Sequence, residues 1–241
     1  MKVALQMYSL RSLTGDDFFG TLGETAKMGY DGVEFAGYFD VPAKELKAVL
    51  DKNGLEAAGS HVSIDRLRED LDGEIAYAKE LGLYSVVCPY ADMNTEEEWI
   101  AFGRELNEIG KKFRANGILF GYHNHANEFQ KQYNGTYALD LIFQNSDPEN
   151  VFAEVDTYWV KKGGDCPVAY TKKYADRIPL LHAKDLDEAG KDMEVGTGCI
   201  DFQKVVDGLT NLKWIVVEQE EYNYPVLESV KIGCDNMKKI R

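Results

Sequence analysis

Short apolar runs and amphipathic stretches alternate along the whole chain. β-rich runs occur at Val3–Tyr8, Gly32–Phe35, Ala57–Ser60, Tyr84–Cys88, Ile118–His123, Val151–Val155, Leu180–Ala183 and Trp214–Glu218. Between them the apolar positions recur at helical spacing. Asp16–Met28 is closed by Gly29, Pro42–Lys52 ends in "NG", and Asp65–Leu81 ends at Gly82. Thr95–Ala115 opens "TEEEW", where Thr95 can cap the helix and Glu98 stands three residues on. Thr136–Gln144, Val168–Ala175, Phe202–Leu209 and Val226–Lys239 carry weaker helical patterns.

Eight strand-then-helix units in 241 residues predict an α/β fold, a (β/α)8 TIM barrel spanning 1–241 as a single domain. A doubly wound open sheet is the alternative. It usually carries a glycine-rich phosphate loop after its first strand, and here that strand runs into "SLRSLTG".

Composition narrows the function. A net charge of −14 argues against a general nucleic-acid binder. No window approaches the ~20 apolar residues of a membrane span, and "MKVALQMYSLR" is too short and polar for a secretory signal. Cys88, Cys166, Cys199 and Cys234 form no CxxC pair and read as reduced thiols of a cytoplasmic protein.

The polar residues gather at predicted strand ends, where a barrel keeps its chemistry. Two of the chain's four histidines sit in "FGYHNHANEF", and on an alternating strand His123 and His125 point to one side, with Glu128 close by. Strand one ends with Gln6 and Ser9, strand two with Glu34, and strand three runs into His61. Asn124 lies between the two strand-five histidines. Strand six offers Glu154 and Asp156; strand seven His182, Lys184 and Asp185; strand eight Glu218 and Glu220. Asp, His and Glu converging on one mouth can hold a divalent metal such as Mn, Co, Zn or Mg. Such an ion polarises a carbonyl and stabilises an enediolate, while a flanking carboxylate or imidazole moves the proton. Blander readings exist: Glu34 could hold a loop, Glu154 and Glu220 could be supporting groups, and Lys184 could be a solvated rim charge.

The motifs "LQMYSLR", "GYDGVEF", "SHVSID", "YHNHANEF", "EVDTYWV", "LLHAKD…GTGCIDF" and "WIVVEQEE", in this order, resemble the sugar phosphate isomerase/epimerase family with its xylose-isomerase-like TIM barrel. The resemblance implies one divalent metal bound by Asp156, His182 and Glu218. Many members carry Glu-Asn-His at the end of strand five, where this chain has His123-Asn124-His125. The fourth ligand is then His123 or, through a folded-back loop, Glu128. Glu128, His125 and Lys184 are implied for proton transfer, and Gln6, Glu34, His61 and Asn124 for substrate binding. The implied activity is isomerisation or epimerisation of a sugar, keto-sugar or cyclitol through an enediolate. The alternative is a lyase or dehydratase of the inosose dehydratase or keto-glycoside type. The related DNA-repair endonuclease branch ranks low at this charge. A non-catalytic carbohydrate-binding barrel is disfavoured by the intact Asp156/His182/Glu218 set. Partners are expected to be the small-molecule substrate and, if the chain self-associates, further copies in a homo-oligomer.

Overall fold

A computed structural model describes residues 1–240. Eight parallel strands form the central sheet: β1 Lys2–Gln6, β2 Gly32–Phe35, β3 Glu56–Ser60, β4 Ser85–Cys88, β5 Leu119–His123, β6 Phe152–Asp156, β7 Leu180–Ala183 and β8 Trp214–Val217. Their order is β3-β2-β1-β8-β7-β6-β5-β4. Edge strands β3 and β4 meet through the His61–Val87 bridge, and Val62 N–H donates to Val87 O at 2.9 Å. The eight strands thus make a nearly closed (β/α)8 barrel.

The connecting helices are α1 Phe18–Lys27, α2 Ala43–Asn53, α3 Ile64–Leu81, α4 Glu96–Ala115, α5 Ala138–Gln144, α6 Pro167–Lys173, α7 Phe202–Val206 and α8 Val226–Met237. In α4 both capping-box hydrogen bonds between Thr95 and Glu98 form. Its Trp99, Phe102, Leu106, Ile109 and Phe113 make the buried stripe. No helix among the described residues is long and apolar enough to cross a membrane.

Three local departures from the sequence pattern have clear causes. The first strand stops at Gln6 rather than Tyr8 because the Gln6 side chain accepts from Tyr8 N–H and starts a 3-10 turn, Met7–Leu10. The pattern at Thr136–Gln144 divides, and its start pairs with Gln132–Tyr133 in a hairpin. The turn residues Asn134 and Gly135 both have positive φ, 52° and 81°, as a tight Asn-Gly turn requires. α3 is interrupted at Asp70, whose φ of −148° leaves the helix and whose carboxylate caps Gly73 N–H.

Side chains inside the barrel fall into two layers. The lower one, toward the strand N-termini, is apolar: Ala4, Ala58, Val87, Phe152, Leu180, Trp214 and Val216. Gly32 and Gly121 make room for it, since a Cβ would lie 2.9 Å from the Trp214 ring and 2.6 Å from the Phe152 ring. The upper layer is polar and forms the mouth.

Candidate active site

The mouth follows from period-two alternation along the strands. Two residues beyond Ala4, Phe152, Leu180 and Val216, on the same side of each strand, stand Gln6, Glu154, His182 and Glu218. Glu34 follows Gly32, and His123 follows Gly121. Asp156 is the last residue of β6, and His61 is the first after β3. Gln6, Glu34, Glu154, Asp156 and His182 are fully buried, with His123 at 2% and Glu218 at 6% exposure.

Two overlapping donor groups result: His123, Asp156, His182 and Glu218, and His61, His123, Glu154 and His182. Within each, one donor atom per residue lies within 4.8 Å of all the others. That is close to the spread of donors around one ion with bonds of ~2.0–2.2 Å. His182 Nδ1 is 3.3 Å from Glu218 Oε2 and 3.9 Å from Asp156 Oδ2. Its Nε2 is 2.6 Å from Glu34 Oε2 and 3.4 Å from Glu154 Oε2. His61 Nε2 lies 2.9 Å from Glu154 Oε2, and His123 Nδ1 lies 3.2 Å from the same oxygen. Asp156 Oδ2, Glu154 Oε1 and Glu34 Oε1 are buried with no hydrogen-bond partner. Buried carboxylate oxygens left bare in this way, beside imidazoles, call for positive charge, so the residues fit a divalent ion.

The same crowding splits the protonation behaviour. Burial pushes Asp156 and Glu154 up to about 7. Burial also opposes ionisation of Glu218, but the His182 hydrogen bond and the Lys184 charge bring it down to about 2. Burial opposes ionisation of Glu34 as well, yet the charges of His61 and His182 hold it well below the usual range. Burial disfavours charge on His61 and His182, and the facing carboxylates overcome it, raising His61 to about 10 and His182 well above normal. Burial and the neighbouring positive groups lower His123.

Above this layer opens a hollow of about 610 Å³, bordered by Tyr8, His61, Tyr90, His123, His125, Trp159, Glu218 and Glu220. Sequence reasoning missed its aromatic wall. Tyr8 lies in the 3-10 turn that replaces the end of the first β-rich run, and Tyr90 in a loop without periodicity, but "TYW" directly after Asp156 was an available signal. Asp156 Oδ1 accepts from Trp159 N–H at 2.9 Å, capping a short helix, Thr157–Lys162, that no apolar pattern announced. Trp159 and Tyr158 hold Lys184, whose ammonium lies 4.5 and 4.6 Å from their ring centroids and pairs with Glu220. Lys184 is 2% exposed, so it is not a solvated rim charge.

The remaining sequence-selected residues separate. Asn124 accepts from Asp156 N–H at 3.0 Å and ties β5 to β6. Gln6 donates to Glu34 Oε2 at 2.8 Å. β5 ends at His123, so strand alternation does not govern His125. His125 still reaches the hollow, packed between Tyr90 and Trp159, with a buried Nδ1 that has no partner. Glu128 is not brought to the donor groups. Its carboxylate accepts from Tyr122 Oη–H at 2.6 Å and from His125 N–H at 2.9 Å. Tyr122 sits on the helix-facing side of β5, against Phe102. Asp185 also leaves the mouth: it accepts from the N–H groups of Gly196, Gly198, Leu186 and Ile200 and shapes the loop after β7.

Known proteins share this architecture. An inosose dehydratase of Halalkalibacterium halodurans is 27% identical over 253 residues, which cover 86% of this chain and 81% of that protein. The solved structure of a sugar phosphate isomerase/epimerase from Parabacteroides distasonis is 26% identical, with a TM-score of 0.86 and all of both chains covered. The structure of the IolI protein with a binding zinc atom has a TM-score of 0.75 over 100% of this chain and 98% of that one. At 16% identity it shows the fold alone. Residues 22–240 match the family described as the xylose isomerase-like TIM barrel, a family of sugar-modifying enzymes, and the chain belongs to it.

Proposed function

We propose that the chain is a divalent-metal-dependent enzyme that removes a proton beside the carbonyl of a sugar or cyclitol and then expels an oxygen substituent from the next carbon. The carrying observation is the buried set His123, Asp156, His182 and Glu218 at the floor of the aromatic hollow. When bound there, the ion supplies Lewis-acid polarisation of the substrate carbonyl. Zinc is the first ion to test, since the IolI structure contains it. Tyr8, Tyr90 and Trp159 stack on the sugar face and exclude water. His125, whose ring borders the hollow, takes the proton from carbon. The C–H electron pair becomes the new double bond, the C–O bond breaks, and the Lys184 ammonium supplies a proton to the leaving oxygen through Glu220, its ion-pair partner at the border of the hollow. Glu128 acts through the loop, holding His125 N–H so that the imidazole stays between Tyr90 and Trp159.

The sequence reading put isomerisation or epimerisation first. Elimination moves ahead because curated relatives at 25–27% identity carry the name inosose dehydratase. The full-length likeness to a sugar phosphate isomerase/epimerase keeps the other outcome as the second reading. Both share the proton-removal step. Incubating zinc- or manganese-loaded protein with keto-sugars, inososes and 3-keto-glycosides in deuterium oxide tests it. Deuterium in recovered material is expected, with loss of water or an alcohol marking elimination and unchanged composition marking isomerisation. No exchange across the panel would refute the proposal.

A further inference from the structure

We infer that Glu34 is a positioning residue for His182, not a substrate contact: it fixes which imidazole nitrogen faces the metal. This inference rests on the metal reading above. A ligating histidine presents a lone pair at one ring nitrogen and an N–H at the other, and the partner of the N–H decides which is which. Glu34 Oε2 lies 2.6 Å from His182 Nε2. That leaves Nδ1 directed at Glu218 and Asp156, the two carboxylates of the donor group.

Glu34 is itself held from several sides. Gln6 Nε2 donates to Glu34 Oε2 at 2.8 Å, and His61 Nε2 stands 3.3 Å from that oxygen. The Gln6 amide cannot flip without loss, because its Oε1 accepts from Tyr8 N–H at 3.1 Å. A chain of hydrogen bonds therefore runs from the backbone at Tyr8 through Gln6 and Glu34 to His182. Gly59 completes the seat: a Cβ there would collide with Glu34 Oε1. Glu34 is fully buried and does not border the hollow. His61, which does border the hollow, stands against the Glu34 carboxylate on that side. Glu154 repeats the arrangement more loosely, 3.2 Å from His123 Nδ1, which leaves His123 Nε2 for the ion.

The test measures zinc(II) dissociation constants by competition with a chromogenic chelator. The proteins are wild type, Glu34→Gln, Glu34→Leu and Asp156→Asn, each first shown to be folded by its thermal transition without metal. Loss of the orienting carboxylate is expected to weaken zinc binding roughly 10-fold in Glu34→Gln and toward 100-fold in Glu34→Leu. Zinc binding within about twofold of wild type in both Glu34 variants, with Asp156→Asn impaired, would overturn the role of Glu34 alone. Wild-type zinc binding in Asp156→Asn would instead overturn the metal reading beneath it. Long-range ¹H–¹⁵N spectra of zinc-loaded wild type give an answer that needs no variant to fold. The His182 proton is expected on Nε2 and the zinc on Nδ1; the reverse assignment would refute the inference.

Discussion

The two ends of the barrel interior are built from the same strands, two residues apart, yet they obey opposite rules. Toward the strand N-termini, Trp214, Phe152 and Leu180 fill the bore, and glycines at 32 and 121 yield space to the rings. Toward the C-termini, Glu34, Glu154, Asp156 and Glu218 are buried beside three histidines, with carboxylate oxygens left unpartnered. A fold gains nothing from concentrating like charges in a dry cavity. The lower layer therefore carries stability, and the upper layer is held in place by it. The difference teaches where to look for function in such a barrel: at the level where alternation continues but chemistry changes.

This division can be broken from either side. Truncating the lower plug with Phe152→Ala should cost about 3–5 kcal/mol in denaturant unfolding. Zinc affinity should stay within roughly threefold, because the donors sit above the cavity that the change creates. A collapse of zinc binding at unchanged stability would contradict the division. In the upper layer, Asp156→Asn keeps the helix cap on Trp159 and removes one anionic ligand. Zinc affinity should fall on the order of 100- to 1,000-fold, read by chelator competition, with the metal-free thermal transition nearly unmoved.

Glu128, in the turn after β5, sharpens the contrast between the donor level and the packing outside the barrel. It is as deeply buried as Glu154, and burial raises it to about 7, yet both its oxygens are engaged. Glu128→Leu should lower stability by about 1–3 kcal/mol, since the Tyr122 hydroxyl and the His125 N–H both lose their buried acceptor. Zinc affinity should not change, and turnover should drop through displacement of His125. The smallest effect belongs to the rim. Tyr90 is 49% exposed, so Tyr90→Ala should alter stability by less than about 0.5 kcal/mol. It should raise KM with kcat nearly kept, as lost stacking on the substrate predicts.

The barrel was legible in the sequence because each βα unit repeats a strand run and a capped or glycine-ended helix. The donor level was legible too: Gln6, Glu34, His123, Glu154, His182 and Glu218 fall where inward alternation reaches a strand end. What alternation cannot follow was lost. His125 lies past the end of β5, and the direction of Glu128 depends on the turn Asn127–Gln130. Asp185 looks like a mouth carboxylate until the loop it gathers, Gly196 to Ile200, is folded around it. Tyr8 reaches the hollow from the 3-10 turn started by Gln6, and Tyr90 from a loop whose path is set by tertiary packing, which local pattern does not encode.

Whether the upper layer is a metal centre, and whether His123 or Glu128 completes it, is decided most directly by one diffraction experiment. A crystal of the protein equilibrated with zinc, recorded on both sides of the zinc absorption edge, should give a single anomalous peak within about 2.0–2.2 Å of His123, Asp156, His182 and Glu218. A peak bonded to Glu128, or no peak among those four residues, would contradict the account.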